Sequence, residues 1–283
     1  MYKTIQDIYQ SSLFNLPELV HGFSTRRFGD MRNKKKRNAF LSALGISEES
    51  LVWQEQVHRD AIHIVADADR GKTIRGVDGM VYCHSGTRDG IQRINIDSCF
   101  PARNAFSIAD AGGRRNDNLA TGLPRQFNEK SIILSVHTAD CVPLLAVDPV
   151  ANVIAVAHAG WKGTVSHIGF KLIKKMELLG SKVQNIRVVI GPRIGGCCYE
   201  IDKKRADVFR NEFPGSDVIE EKDGKLFADI GKANYLDLIA SGIQLNHVDF
   251  HPSLCTYCMK DDFYSFRRSG KPLEGEIIGV IGF

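Results

Sequence analysis

The chain has no apolar run approaching the ~18 residues that a membrane-spanning helix requires. Its first residues, Met1-Tyr2-Lys3-Thr4-Ile5-Gln6-Asp7, lack the basic-then-apolar order of a secretory signal, so a cytoplasmic location is expected. Charge of one sign is also scarce. With 37 Lys and Arg against 33 Asp and Glu, the formal net charge is only +4, and no basic stripe with interleaved aromatics marks a nucleic-acid surface. The one dense basic run, from Arg32 through Lys34, Lys35 and Lys36 to Arg37, reads as a solvated helix start rather than a phosphate patch. A disulfide framework is missing too. The seven cysteines (Cys83, Cys99, Cys141, Cys197, Cys198, Cys255 and Cys258) form an odd, irregular set, which favours buried thiols, metal ligands or nucleophiles. None of the nine histidines forms a His-x-His pair, which counts against several histidine-rich metal sites.

What is present is an ordinary globular composition. With 283 residues, 43% hydrophobic and 25% charged, the chain can bury a sizeable core, and one domain over 1–283 is expected. From about 85 to 130 no period of 2 or 3.6 is sustained, while Gly, Asn, Asp and Arg crowd together. Too few apolar residues stand there to offset ordering, so a flexible insertion is expected. Elsewhere the spacing predicts strands over 51–58, 61–65, 186–192 and 276–283, and helices over 37–45, 165–180, 203–212 and 232–241.

Two apolar runs organise the rest. Thr138-Ala139-Asp140-Cys141 leads into the run ending at Val147, Asp148-Pro149 turns the chain, and Ala151–Ala157 returns to His158 before Gly160-Trp161-Lys162-Gly163. They read as a hairpin with a thiol and an imidazole at one end. His58 follows Gln56 at another strand end. Two imidazoles and one thiolate suit tetrahedral zinc with a fourth position for water or substrate, or alternatively a thiolate nucleophile with its base. Three unrelated buried residues remain the plain alternative. The glycines around Gly191-Pro192-Arg193-Ile194-Gly195-Gly196-Cys197-Cys198 suggest close approach of the backbone to something. Cys255-x2-Cys258 has the spacing of half a zinc knuckle that Cys197-Cys198 would formally complete. Adjacent residues on a strand point to opposite faces, however, which argues against that pair as co-ligands.

Six motifs in order resemble the YfiH-like family. They are His21-Gly22-Phe23-Ser24-Thr25-Arg26, Gln56-Val57-His58, Thr138–Pro143, His158–Gly163, Gly191–Glu200, and Cys255-Thr256-Tyr257 with Ser265-Phe266-Arg267-Arg268. Members have been called laccase-domain or polyphenol oxidase proteins and are regarded as zinc-containing purine nucleoside phosphorylases. The resemblance covers the chain except roughly 85–130, and departs from the usual Gly-Arg near the C-terminus at Gly275-Glu276. It implies an α/β (α+β) fold, a layered α-β-β-α sandwich of mixed sheets related to cysteine-hydrolase-like domains. It also implies His58, Cys141 and His158 as zinc ligands. The expected reaction is phosphorolysis of adenosine, inosine, guanosine or methylthioadenosine to base and ribose 1-phosphate, with adenosine deamination as a side activity. Charge nominates Arg26, Arg193 and Arg267 to clamp phosphate; Gln56 and Asp140 join them as catalytic candidates, and Trp161 and Cys198 as substrate-binding ones. The expected partners are small molecules only, with the chain a monomer or weak homodimer. Copper-dependent phenol oxidation and a non-catalytic zinc-binding relative are the alternatives.

Overall fold

The computed structural model describes residues 2–5, 7–84 and 131–283. The insertion expected at about 85–130 lies outside the described residues. In chain order the strands are β1 (Tyr2–Ile5), β2 (Ile8–Ser11), β3 (Val20–Ser24), β4 (Leu51–Glu55), β5 (Ile62–Ile64), β6 (Thr73–Arg75) and β7 (Gly79–Cys83). They continue with β8 (Ile133–Thr138), β9 (Val142–Asp148), β10 (Val153–Ala159), β11 (Arg187–Ile190), β12 (Glu200–Ile201), β13 (Ile219–Lys222), β14 (Lys225–Ala228), β15 (Val248–Phe250) and β16 (Ile277–Gly282). The helices are α1 (Lys34–Ala43), α2 (Trp161–Val165), α3 (Ile168–Leu178), α4 (Lys203–Glu212), α5 (Ile230–Ala240) and α6 (Phe266–Ser269).

Among the described residues the strands form three sheets. One has the order β1-β2-β3-β16-β8-β4-β6, the second β15-β11-β9-β10-β7-β5, and a small one β12-β14-β13. Both large sheets are mixed: β4 runs parallel to β8 and β6 in the first, β11 parallel to β15 and β5 parallel to β7 in the second, and the remaining neighbours are antiparallel. Every residue of β9 and β10 is buried, because both faces of their sheet are covered. Alternation decides what each side chain meets. Leu145 and Val147 pack with Val156, Val136 and Phe23 between the two large sheets, whereas Leu144 and Ala146 pack with Leu172, Ile173 and Leu238 of α3 and α5. On the far face of the first sheet, Ile278 and Val280 meet Phe40 and Leu41 of α1. The result is the expected α-β-β-α layering of mixed sheets. No helix among the described residues is long and apolar enough to cross a membrane.

Two local differences have clear causes. The helix expected over 165–180 is broken into α2 and α3 at His167, which takes φ 58°. Its ring is held by Asp237 at 2.7 Å and Glu212 at 3.0 Å, so buried hydrogen bonds fix a left-handed residue that periodicity cannot reveal. The glycine-rich segment after β11 does approach something closely, and what it approaches is this chain. A Cβ at Gly191 would lie 2.4 Å from the Phe23 ring, and one at Gly196 would lie 3.0 Å from Asp229.

Candidate functional site

The β9–β10 register pairs Ala159 with Val142 and His158 with Pro143. Cys141 just precedes this hairpin and Gly160 just follows it, so the two stand side by side at its open end. His58 arrives on the turn after β4. The ligand atoms of His58, Cys141 and His158 all lie within 4.8 Å of one another, with the two imidazoles edge-to-face at 4.7 Å between centroids. Tetrahedral bond lengths of ~2.0–2.3 Å place ligand atoms roughly 3.5 Å apart, so modest side-chain adjustment would close this set on an ion.

Backbone space at the centre is reserved. A Cβ on Gly160 would sit 3.1 Å from Cys141 Sγ, 3.6 Å from the His58 ring and 3.7 Å from the His158 ring. Gly160→Ala is therefore expected to weaken metal retention by about 10-fold or more, at the lower end of perturbations that reorient ligands. Competition with a zinc chelator, comparing wild type and variant, measures it; equal retention would show that the three ligands stand further from Gly160 when metal is bound.

Asp78 organises two of the three candidate ligands. It is fully buried and accepts hydrogen bonds from the backbone N–H groups of His58 (2.9 Å), Arg59 (2.8 Å) and Val57 (3.3 Å). These bonds hold His58 at φ 57°, an uncommon conformation for a side chain of this size. His158 Nδ1 lies 2.9 Å from the same carboxylate. A carboxylate can only accept, so the proton sits on Nδ1 and Nε2 keeps its lone pair for a cation. Burial acts to raise the Asp78 carboxyl, but the hydrogen bonds from His158, Arg59 and His58 outweigh it and hold the pKa below the usual range.

Asp140 is equally constrained. It takes φ 94° in the turn that carries the chain from the first sheet to the second. Its carboxylate accepts from Thr256 Oγ1 and from the Arg267 N–H, both at 2.6 Å, and its carbonyl accepts from the Ile194 N–H at 2.9 Å. This network sets the position of Cys141 next to it.

Beside the three ligands lies a cavity of about 360 Å³, lined by His58, Asp140, Cys141, Trp161, Lys162 and Tyr199 among others. That volume suits a small molecule. Cations gather around its aromatic walls: Lys162 Nζ and the Arg205 guanidinium lie 5.8 and 5.3 Å from the Trp161 ring centre, and the Arg267 guanidinium lies 5.1 Å from that of Tyr199. His58 also borders a second cleft of about 520 Å³, lined in part by Trp53, Gln56, His137 and Arg37.

The nominated side chains divide. Trp161 and Asp140 line the first cavity, and Arg267 borders it through Tyr199. Gln56 lines the second cleft, donating from Nε2 to the His137 carbonyl at 3.0 Å. Arg26 pairs with Glu274 at 3.2 Å and covers Tyr264, outside either set of lining residues. Arg193 is fully buried, with its guanidinium 4.5 Å from the centre of the Phe250 ring and its chain filling the space that a Cβ on Gly231 would need. Charge alone nominated these two arginines, and neither lines the cavity. Cys198 does not line it either; its Sγ lies 3.3 Å from that of Cys258. Residue types left Asp78, Lys162, Tyr199 and Arg205 unnoticed. The available signals were the place of Lys162 and Tyr199 within the His158–Gly163 and Gly191–Glu200 motifs, and an aspartate beside glycine, Asp78-Gly79, leading into a strand.

This arrangement defines a class: a layered α/β protein with one cysteine and two histidines at a hairpin mouth, grouped closely enough to hold a metal ion and opening on an aromatic, cation-rimmed cavity. A profile of the family described as multi-copper polyphenol oxidoreductase laccase matches residues 116–283, and the chain belongs to that family. It is 39% identical over 98% of its length to the purine nucleoside phosphorylase YlmD of Bacillus subtilis, covering 93% of that protein. A shorter match, 33% identical over 50% of this chain and 55% of the other, is to the adenosine deaminase RL5 of an unknown prokaryotic organism. The crystal structure of YlmD from Geobacillus stearothermophilus superposes with a TM-score of 0.74 at 24% identity, covering 99% of this chain and 97% of that one.

Proposed function

We propose that this chain is a zinc-dependent purine nucleoside phosphorylase, converting adenosine, inosine, guanosine or methylthioadenosine with phosphate to the free base and ribose 1-phosphate. The observation that carries the reading is the Cys141, His58 and His158 set at the wall of a cavity that also holds an aromatic face and positive charge. Its support from relatives is the name borne by the Bacillus subtilis protein.

Breaking the glycosidic bond builds positive charge on the sugar and negative charge on the departing purine, so a catalyst must stabilise both without water competing. Zinc held by the three ligands would supply a Lewis acid there. The chain's own groups do the remaining work. Trp161 and Tyr199 offer flat faces for the purine. Lys162, with Arg205 and Arg267 behind the aromatic walls, provides the cationic side for phosphate. Asp140 acts as a positioning residue, since Thr256 and Arg267 already occupy its carboxylate oxygens. Asp78 keeps His158 in the tautomer that presents Nε2. Adenosine deamination is the proposed side activity of the same centre, in keeping with the name of the shorter-matching relative.

Incubating metal-replete protein with adenosine, with and without phosphate, tests this reading. Adenine release that requires phosphate supports it, and inosine formed in the absence of phosphate reports the side activity. Base release that is absent, or indifferent to phosphate, would refute phosphorolysis. Lys162→Gln is expected to raise the KM for phosphate by about 10- to 100-fold, matching the ~1.5–3 kcal/mol of a hydrogen bond to a charged group. An unchanged KM would take Lys162 out of the phosphate site.

A further inference from the structure

Cys197 and Cys198 lie in the turn after β11, and Cys255 and Cys258 in the loop after β15. An isolated parallel bridge between Arg193 and Cys255 ties the two loops together, with Arg193 N–H donating to the Leu254 carbonyl (3.2 Å) and Thr256 N–H to that of Arg193 (2.9 Å). The backbone N–H groups of Cys198 and Tyr199 both donate to the Gly195 carbonyl at 3.0 Å. That tight turn removes the objection raised by strand geometry. Adjacent thiols on a strand would diverge, but in this turn both converge on Cys258, with Sγ–Sγ distances of 3.7 Å from Cys197 and 3.3 Å from Cys198. All four sulfurs lie within 4.8 Å of one another.

Those distances bracket the sulfur–sulfur edge of a tetrahedral four-thiolate zinc site, roughly 3.8 Å for Zn–S bonds of ~2.3 Å. The backbone is arranged to match. Gly195 N–H donates to Cys255 Sγ at 3.3 Å, and the Cys258 N–H points at the same sulfur, so amide dipoles face the most buried thiol and offset negative charge there. A Cβ on Gly195 would stand 3.2 Å from Cys197 Sγ and 3.4 Å from Cys255 Cβ, so glycine leaves the cluster its space. Cys197 and Cys258 are exposed, which gives an ion a way in. Two separate disulfides would need paired sulfurs, and one Sγ approached by two others is the pattern of ligands converging on a shared centre.

We infer that Cys197, Cys198, Cys255 and Cys258 form a second metal site, a closed four-thiolate zinc centre whose role is structural. Four protein ligands leave no open position for substrate. The centre staples together two segments that build the cavity: one carries Ile194 and Tyr199 of its wall, the other Thr256, which holds the Asp140 carboxylate beside Cys141. It rests on the proposed zinc at His58, Cys141 and His158 only for the wild-type count of two; the ion kept by Cys141→Ala reads this cluster alone.

The test is the zinc content of the full chain, purified with zinc and freed of loosely bound ions, for wild type, Cys141→Ala and the Cys197→Ser/Cys198→Ser double variant. The expected stoichiometries are about two ions per chain in wild type and about one in each variant. X-ray absorption of zinc-loaded Cys141→Ala should show sulfur alone at ~2.3 Å around the remaining ion. Wild type with one ion and Cys141→Ala with none would overturn the inference. So would a wild-type mass deficit of a hydrogen pair from a Cys198–Cys258 disulfide, with zinc unchanged in the double variant. If the double variant fails to fold, Cys141→Ala decides alone, since it leaves the cluster intact.

Discussion

Replacing Cys141 with Ala is expected to reduce phosphate-dependent base release by about 10³-fold or more, the equivalent of roughly 4 kcal/mol of transition-state stabilisation. The physical ground is that, of the His58, Cys141 and His158 set, only Cys141 could bind an ion as a thiolate. Without it, two neutral imidazoles must hold a divalent ion, and affinity and positioning fall together. The loss should be in kcat as well as kcat/KM, because the interaction removed is one that strengthens as charge develops on the purine. Stability should change little. Cys141 is half-buried and lies outside the strands, so its truncation opens no large cavity in the core. A Cys141→Ala protein that folds normally and retains near wild-type turnover would remove this sulfur from the reaction.

Asp78→Ala should have the largest effect on the fold of any change near the site. The carboxylate receives three backbone N–H groups and the His158 imidazole in a fully buried position. Leaving buried donors unpaired costs about 1–3 kcal/mol each. Because residues 57–59 are exposed, water takes up part of that loss, and a destabilisation of about 3–5 kcal/mol is expected, read from chemical denaturation. The more informative variant is Asp78→Asn, which keeps the size and one accepting oxygen but loses the charge. It should fold with a smaller penalty and still hold metal about 10- to 100-fold more weakly, because His158 loses the carboxylate that fixes its tautomer. The sign of the pH effect follows from the depressed pKa. Asp78 contributes stability that is fully present above the ordinary carboxylate value and is lost as pH falls through its lower folded value. Acid unfolding curves of Asp78→Asn should thus converge on wild type at low pH and separate from it towards neutrality. Parallel curves across the whole range would show that the carboxylate charge is not what holds the 57–59 turn.

Much of the architecture was legible because burial imprints itself on residue type. Continuous apolar runs such as Val142–Val147 and Val153–Ala157 announce strands covered on both faces, and Asp148-Pro149 announces the turn between them. Cys141 and His158 could be placed together for that reason, while His58 joined them by family resemblance, since nothing local links residues so far apart in the chain. What stayed hidden depends on three-dimensional contact. His167 breaks a helix only because Asp237 and Glu212 reach it from α5 and α4. Arg193 looks like any cation until Phe250 and Gly231 are seen to enclose it. Cys197 and Cys198 converge only because Gly195 closes a tight turn, where strand alternation would have separated them. Asp78 reads as a turn residue, and its importance lies in four donors from two distant segments.

The most direct measurement follows the phosphorus. Phosphorus NMR of wild-type protein supplied with inosine and inorganic phosphate, alongside Cys141→Ala, should show the phosphate signal converting to ribose 1-phosphate in step with hypoxanthine release, with no conversion beyond background in the variant. Hypoxanthine appearing beside free ribose while phosphate stays constant would make the chain a hydrolase. Equal conversion by both proteins would place the reaction away from the His58, Cys141 and His158 centre.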